Sequence, residues 1–138
     1  MSELRICAST ERLEEVQNFI KDIIKPYVKD EKMMFELEVV VEEIFVNIAH
    51  YAYAPEMGEV IVRCVICNEM GTFVRIVFED EGRAFNPLKK EEADITLSVE
   101  ERQIGGLGIF MVKKMMDKVE YIYENGKNCL TLWKKLRI

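Results

Sequence analysis

The feature that most constrains this chain is two helix-like segments in succession, followed by two hairpin-like pairs of strands. Within GEVIVRCVICNEMGTFVRIVFED, residues 59–67 and 72–80 are β-branched runs joined by the turn-like Asn68-Glu69-Met70-Gly71, which is a hairpin signature. Upstream, LRICAS (residues 4–9) reads as a short strand. A helix follows from about Thr10 to Ile24, with Leu13, Val16, Phe19, Ile20, Ile23 and Ile24 at three-to-four spacing, and Pro26 ends it. The second helix runs from about Glu31 to Tyr53 on a stripe of Leu37, Val40, Val41, Ile44, Phe45 and Ile48, and Pro55 and Gly58 stop it. Near the C-terminus a glycine-rich turn opens a helix from about Leu107 to Asp117. Strands over Val119–Glu124 and Cys129–Leu136 then meet at Asn125-Gly126. The order β-α-α-β-β-loop-α-β-β predicts an α+β two-layer α/β sandwich, a mixed, largely antiparallel sheet with helices on one face. The strict alternation of a Rossmann fold is missing.

The chain has 138 residues, 49% hydrophobic and 32% charged, which suits one globular domain over residues 1–138. Nineteen Lys and Arg against 25 Asp and Glu leave a formal charge of −6, which argues against a direct nucleic-acid binder. A phosphorylated ligand stays open, because backbone amides at a helix N-terminus hold phosphate without net positive charge. MSELRICAST lacks a signal peptide's apolar region and no run of about 18 apolar residues occurs, so a cytoplasmic chain with no membrane partner is expected. Cys64 and Cys67 have CxxC spacing, but in a strand residues three apart point to opposite faces. They are expected to be buried structural thiols, with no metal site.

Residues 81–104 form the one long irregular segment, EGRAFNPLKKEEADITLSVEERQI, of a length that favours a lid or binding loop. A short extra strand at ITLSV is the alternative. Three polar groups flank it. Glu43 and Asn47 in EEIFVN lie four apart, on one helical face at the edge of the apolar stripe. A carboxylate there can take a proton from a hydroxyl, and an amide oxygen is a hard ligand suited to Mg²⁺. Asp80 shares strand parity with Val74, Ile76 and Phe78, so it should face the core, and Gly82 after it allows close backbone approach to a flat ligand. Gly105-Gly106-Leu107-Gly108 opens a helix, so free amides and the positive dipole end face whatever the loop covers. It is neither a Rossmann fingerprint nor a Walker A loop.

Each group alone is an ordinary helical pair, acidic turn or helix start. Their order and spacing together resemble the N, G1 and G2 boxes of the GHKL (Bergerat-fold) ATPase superfamily, which has a histidine-kinase-type ATPase domain. Glu43-x-x-x-Asn47 is similar to the N box. Asp80, Gly82 and Phe85 resemble a DxGxxF G1 box, and GGLGIFMVKKMMD (residues 105–117) resembles the G2 box. Within the superfamily, VEEIFVNIAHYAY, FEDEGRAFNP and GGLGIFMVKKMMDKVEY look like the stand-alone anti-sigma-factor serine/threonine protein kinases.

That resemblance implies ATP bound with Mg²⁺ and phosphorylation of a serine on an anti-anti-sigma (STAS-domain) protein. It also implies capture of a sigma factor, commonly by a homodimer. Carried over by position, Glu43 is the general base and Asn47 holds Mg²⁺. Asp80 accepts from the adenine amine, Gly82 makes room beneath the ring, and Phe85 completes that box. Gly105, Gly106, Leu107 and Gly108 wrap the phosphates, and residues of about 86–104 form an ATP lid. The chain departs from the family pattern in three places. Tyr51 stands where a His is common, with His50 one residue earlier. Asn86 occupies a place where Asp is frequent, and only Cys129 falls near the usual Thr of a closing strand. Two rival readings remain: an ATP-binding partner-switching module without kinase activity, and a domain whose glycines serve only turns and caps.

Overall fold

In a computed structural model, residues 2–53, 56–89 and 106–136 are described. Strand β1 (Ser2–Cys7) leads through a short 3₁₀ turn (Thr10–Arg12) into helix α1 (Leu13–Ile24). Ser9 opens this segment, its side chain accepting from the Glu11 amide at 3.4 Å. Helix α2 (Glu31–Tyr51) is capped by Asp30, whose Oδ1 accepts from the Lys32 amide at 2.9 Å. Strands β2 (Glu59–Cys67) and β3 (Phe73–Asp80) form the first hairpin. Helix α3 (Gly106–Met115) precedes β4 (Lys118–Glu124) and β5 (Lys127–Lys135).

The five strands form one sheet in the order β1-β2-β3-β5-β4, and every pairing is antiparallel. The expected architecture is therefore present, with no parallel pair among the described strands. Asn125 and Gly126 both take positive φ (54° and 75°), the geometry of a two-residue turn whose twist matches the strands it joins. The first turn of the helix expected from Thr10 is 3₁₀, and β5 begins two residues before the expected Cys129. The proposed extra strand at ITLSV and most of the lid-like segment lie outside the described residues.

One core fills the space between sheet and helices. Val16, Ile20 and Ile24 of α1 and Leu37, Val41, Ile44 and Phe45 of α2 pack on Val60, Val62, Val74, Ile76, Phe78 and Leu132. Burying such side chains contributes about 1.5–3 kcal/mol each, which holds both helices on one sheet face. The other face is half-buried. There Arg63 bridges Glu3 at 2.9 Å and Glu79 at 3.4 Å, and Lys118 sits 4.8 Å over the Trp133 ring.

The cysteine pair splits as strand parity requires. Cys64 is buried, and desolvation pushes its thiol pKa up to about 12, while Cys67 is half-buried rather than fully buried. No disulfide joins the two, and no metal-binding cluster of His, Cys, Asp and Glu occurs among the described residues. No described helix is long and apolar enough to cross a membrane.

Candidate functional site

The C-terminal half of α2, the end of β3 and the start of β5 line a cleft that opens to solvent. Ile44, Ile48, Phe78 and Leu130 supply apolar walls, and Asn47, Asp80 and Asn128 supply polar groups. A mostly apolar cleft with a few convergent polar groups is the usual form of a small-molecule site.

Asp80 is 5% exposed and sits where β3 ends beneath α2. Its Oδ1 accepts from the Gly82 amide at 2.9 Å and from Asn128 Nδ2 at 2.9 Å. One carboxylate oxygen is thereby committed to the protein. Burial raises the Asp80 pKa, against the lowering effect of those two hydrogen bonds.

Asn128 is the residue that the sequence reasoning missed. It lies opposite Asp80 in the β3–β5 register, whereas Cys129 pairs with Glu79, one residue out of step. Its Nδ2 also donates to the Arg83 carbonyl at 2.8 Å. Its Oδ1 accepts from the Phe85 amide at 3.1 Å and from the Tyr121 hydroxyl. The carboxamide is thus oriented by donors on one side and acceptors on the other. A signal did exist: Asn128 shares strand parity with the core residues Leu130 and Leu132.

The loop after Asp80 is pinned to the end of α2. The Arg83 amide donates to the Ala52 carbonyl at 3.0 Å, and Arg83 Nε donates to the Tyr51 carbonyl at 3.1 Å. Tyr53 Oη accepts from the Glu81 amide at 2.8 Å and donates to the Glu59 carbonyl at 2.6 Å. A Cβ on Gly82 would lie 2.6 Å from the Ala52 carbonyl carbon and 2.7 Å from its Cβ. The close approach that this glycine permits is therefore made to α2. Phe85 lines the cleft, its ring stacked on Tyr51 with centroids 5.8 Å apart.

One turn before Asn47, Glu43 faces the first turn of α3. The site of a Cβ on Gly108 would fall 2.6 Å from the Glu43 carboxyl carbon. Burial, then the neighbouring Glu42 charge, raises the Glu43 pKa. Gly106 starts α3 and Leu107 belongs to its first turn, but Gly105 lies outside the described residues. Lys113 Nζ donates to the Leu88 carbonyl at 3.0 Å, joining α3 to the 3₁₀ turn Pro87–Lys89. His50 is exposed at the end of α2. Asn47, Asp80 and Phe85 thus line the cleft, Glu43 and Gly108 meet one turn of α2 away from Asn47, and Gly82 packs against Ala52.

The model of the histidine kinase-like ATPase domain matches residues 6–134. The serine-protein kinase RsbW of Listeria monocytogenes is 29% identical over 96 residues, which cover 66% of this chain and 59% of that protein. RsbW of Bacillus cereus strain ATCC 14579 is 25% identical over 99 residues, covering 69% and 60%. The match thus spans about three fifths of these relatives' length. Among solved structures, the RsbU and RsbW domains of Rv1364c from Mycobacterium tuberculosis superpose with a TM-score of 0.65 at 15% identity. That superposition covers 99% of this chain and 33% of the other. The histidine kinase domain of the Erythrobacter litoralis EL346 blue-light activated kinase gives 0.53 at 15% identity, covering 92% and 60%. At such identity the structural likeness shows the fold. The family match takes in most of the sheet, the three described helices and the site residues named above, and the chain belongs to the histidine kinase-like, GHKL-type ATPase domain family.

Proposed function

We propose that this chain is an ATP-dependent protein serine/threonine kinase of the anti-sigma type. On this reading it transfers the γ-phosphoryl group to a serine of a STAS-domain anti-anti-sigma protein and otherwise sequesters a sigma factor as a homodimer. A single domain over residues 1–138, with a lid at about 86–104, would carry this function in the cytoplasm. The observation that carries the reading is the state of Asp80. It is a buried carboxylate in an apolar cleft, with Oδ1 held by Gly82 and Asn128. No described residue donates to Oδ2. An acceptor with unspent capacity in an apolar cleft favours a ligand that brings a donor, such as the exocyclic amine of adenine.

In the proposed reaction, the serine oxygen attacks the γ-phosphorus as the bond to the β–γ bridging oxygen breaks. ADP leaves, and the hydroxyl proton passes to the Glu43 carboxylate. Its raised pKa brings that carboxylate nearer to the working pH of a base. Gly106, Leu107 and Gly108 offer the amides of a helix's first turn to the phosphates, as Gly105 does in the family pattern. The Asn47 amide oxygen is a hard donor lining the same cleft. Mg²⁺ takes few protein ligands and binds mainly through phosphates and water, so a single hard donor such as Asn47 suits it. When bound, Mg²⁺ neutralises phosphate charge.

The test is transfer of label from γ-labelled ATP to a STAS-domain protein, comparing wild type with Glu43→Gln. Labelling of the partner that falls at least about 100-fold in the variant supports the kinase. ATP binding without labelling of any STAS-domain protein tried would favour the partner-switching module instead.

A further inference from the structure

Gly108 and Gly82 are both glycines that a side chain would crowd, but what they would crowd differs in kind. At Gly82 the obstacle is the backbone of Ala52. At Gly108 it is the end of a flexible side chain. A Cβ there would lie 2.6 Å from Glu43 Cδ, closer still to Oε2, and 3.4 Å from Cγ. The first two positions are sterically forbidden, so an alanine at 108 is compatible with the fold only if the Glu43 carboxylate swings away. Gly108 is inside α3 and its φ is not positive, so the backbone itself tolerates a side chain. Alanine would even favour the helix by about 1 kcal/mol. Helix formation therefore supplies no reason for glycine at this position.

The Glu43 carboxyl group packs directly against the bare Cα of Gly108. We infer that Gly108 is a positioning residue whose missing side chain forms the seat of the Glu43 carboxylate and so aims it at the reacting hydroxyl. This rests on the reading of Glu43 as the base. It separates two duties in the glycine turn: the backbone amides serve the phosphates, and the bare Cα of Gly108 serves the carboxylate. A misplacement of about 1 Å costs roughly 100-fold in rate.

The experiment uses the whole chain, Mg²⁺-ATP hydrolysis to water as the turnover probe, and a non-hydrolysable ATP analogue as the binding probe. Gly108→Ala is expected to melt at or above the wild-type temperature and to bind the analogue within about threefold. Its kcat is expected to fall about 100-fold. On the background of Glu43→Ala, which has no carboxylate for the added methyl group to displace, the same substitution should cost almost nothing further. Carbon-13 NMR of the ligand-free protein gives an independent readout. The raised Glu43 pKa should move back toward the ordinary carboxylate value in Gly108→Ala, as the group is expelled into water. An unchanged Glu43 titration overturns the seat, as does an equal loss of kcat on both backgrounds. Wild-type turnover in Glu43→Gln instead overturns the reading of Glu43 as base, and the titration alone then decides whether the seat exists.

Discussion

Asn128 faces Asp80 across the β3–β5 ladder and donates its carboxamide to Asp80 Oδ1 at 2.9 Å, in a contact that spans 48 residues of sequence. Both side chains are 5% exposed. The pair joins the end of the β2–β3 hairpin to the turn end of the β4–β5 hairpin and turns a strand-end acid into an oriented acceptor. Because Asn128 also satisfies the Phe85 amide and the Arg83 carbonyl, it holds the whole loop that forms one wall of the cleft.

Replacing Asn128 by Leu should therefore destabilise the protein by more than one ordinary hydrogen bond. It leaves several buried partners unsatisfied, and each such group costs about 1–3 kcal/mol. A loss of about 2–4 kcal/mol in urea unfolding is expected, with weaker nucleotide binding. A change below 0.5 kcal/mol would mean that water replaces the carboxamide.

Asp80→Asn should separate stability from binding. The variant keeps an acceptor oxygen for Gly82 and Asn128 but presents an NH₂ where the carboxylate would meet an amine. Affinity for ATP is expected to fall at least about tenfold by calorimetry. The pH dependence has a definite sign. Burial raises the folded pKa of Asp80 above its unfolded value, so the unfolded chain loses this proton first. The Asp80 contribution thus weakens folding as pH rises from the ordinary carboxylate range through the raised folded value, and levels off above it. Stability of Asp80→Asn relative to wild type should rise across that window. A flat difference would show that Asp80 titrates alike in both states.

Gly82→Ala should strain the contact with Ala52, because its obstacle is backbone and cannot rotate away. Overpacking of this kind costs about 1–3 kcal/mol. The Arg83–Ala52 hydrogen bond and the cleft wall would shift with it. Chemical denaturation measures the first effect and nucleotide affinity the second. A neutral result in both would place the freedom in α2 rather than in the loop.

Mg²⁺-ATP at about 100 times its Kd should stabilise the folded state by about 2.7 kcal/mol. For a domain of this size that is a rise of roughly 10 °C in Tm. Asn47→Ala should remove most of the Mg²⁺-dependent part and leave the nucleotide-only part in place. Equal Mg²⁺ dependence in the variant and in wild type would remove Asn47 from the metal.

Cys64 should resist thiol reagents in the native state and react only on unfolding, since burial both shields it and raises its pKa to about 12. Cys67, half-buried on the opposite sheet face, should label before Cys64. Native labelling of Cys64 would point to local opening of β2.

The amino-acid sequence alone determined the elements and their order, the inward face of Asp80 and the shared helical face of Glu43 and Asn47. These follow from local periodicity: 3.6 residues per turn in α2 and two per repeat in β3 leave little choice once one face is apolar. The three boxes were legible for the same reason, since each is a short continuous motif. Two facts waited for the tertiary structure. Asn128 rather than Cys129 stands opposite Asp80, because β3 and β5 pair across a long connection that includes α3 and β4, and a slip of one residue exchanges the faces. Gly82 and Gly108 touch α2 rather than open space, because the sheet and α3 pack against that helix from different parts of the chain. Motif spacing specifies which groups can reach the cleft; only packing between distant segments decides what each one touches there.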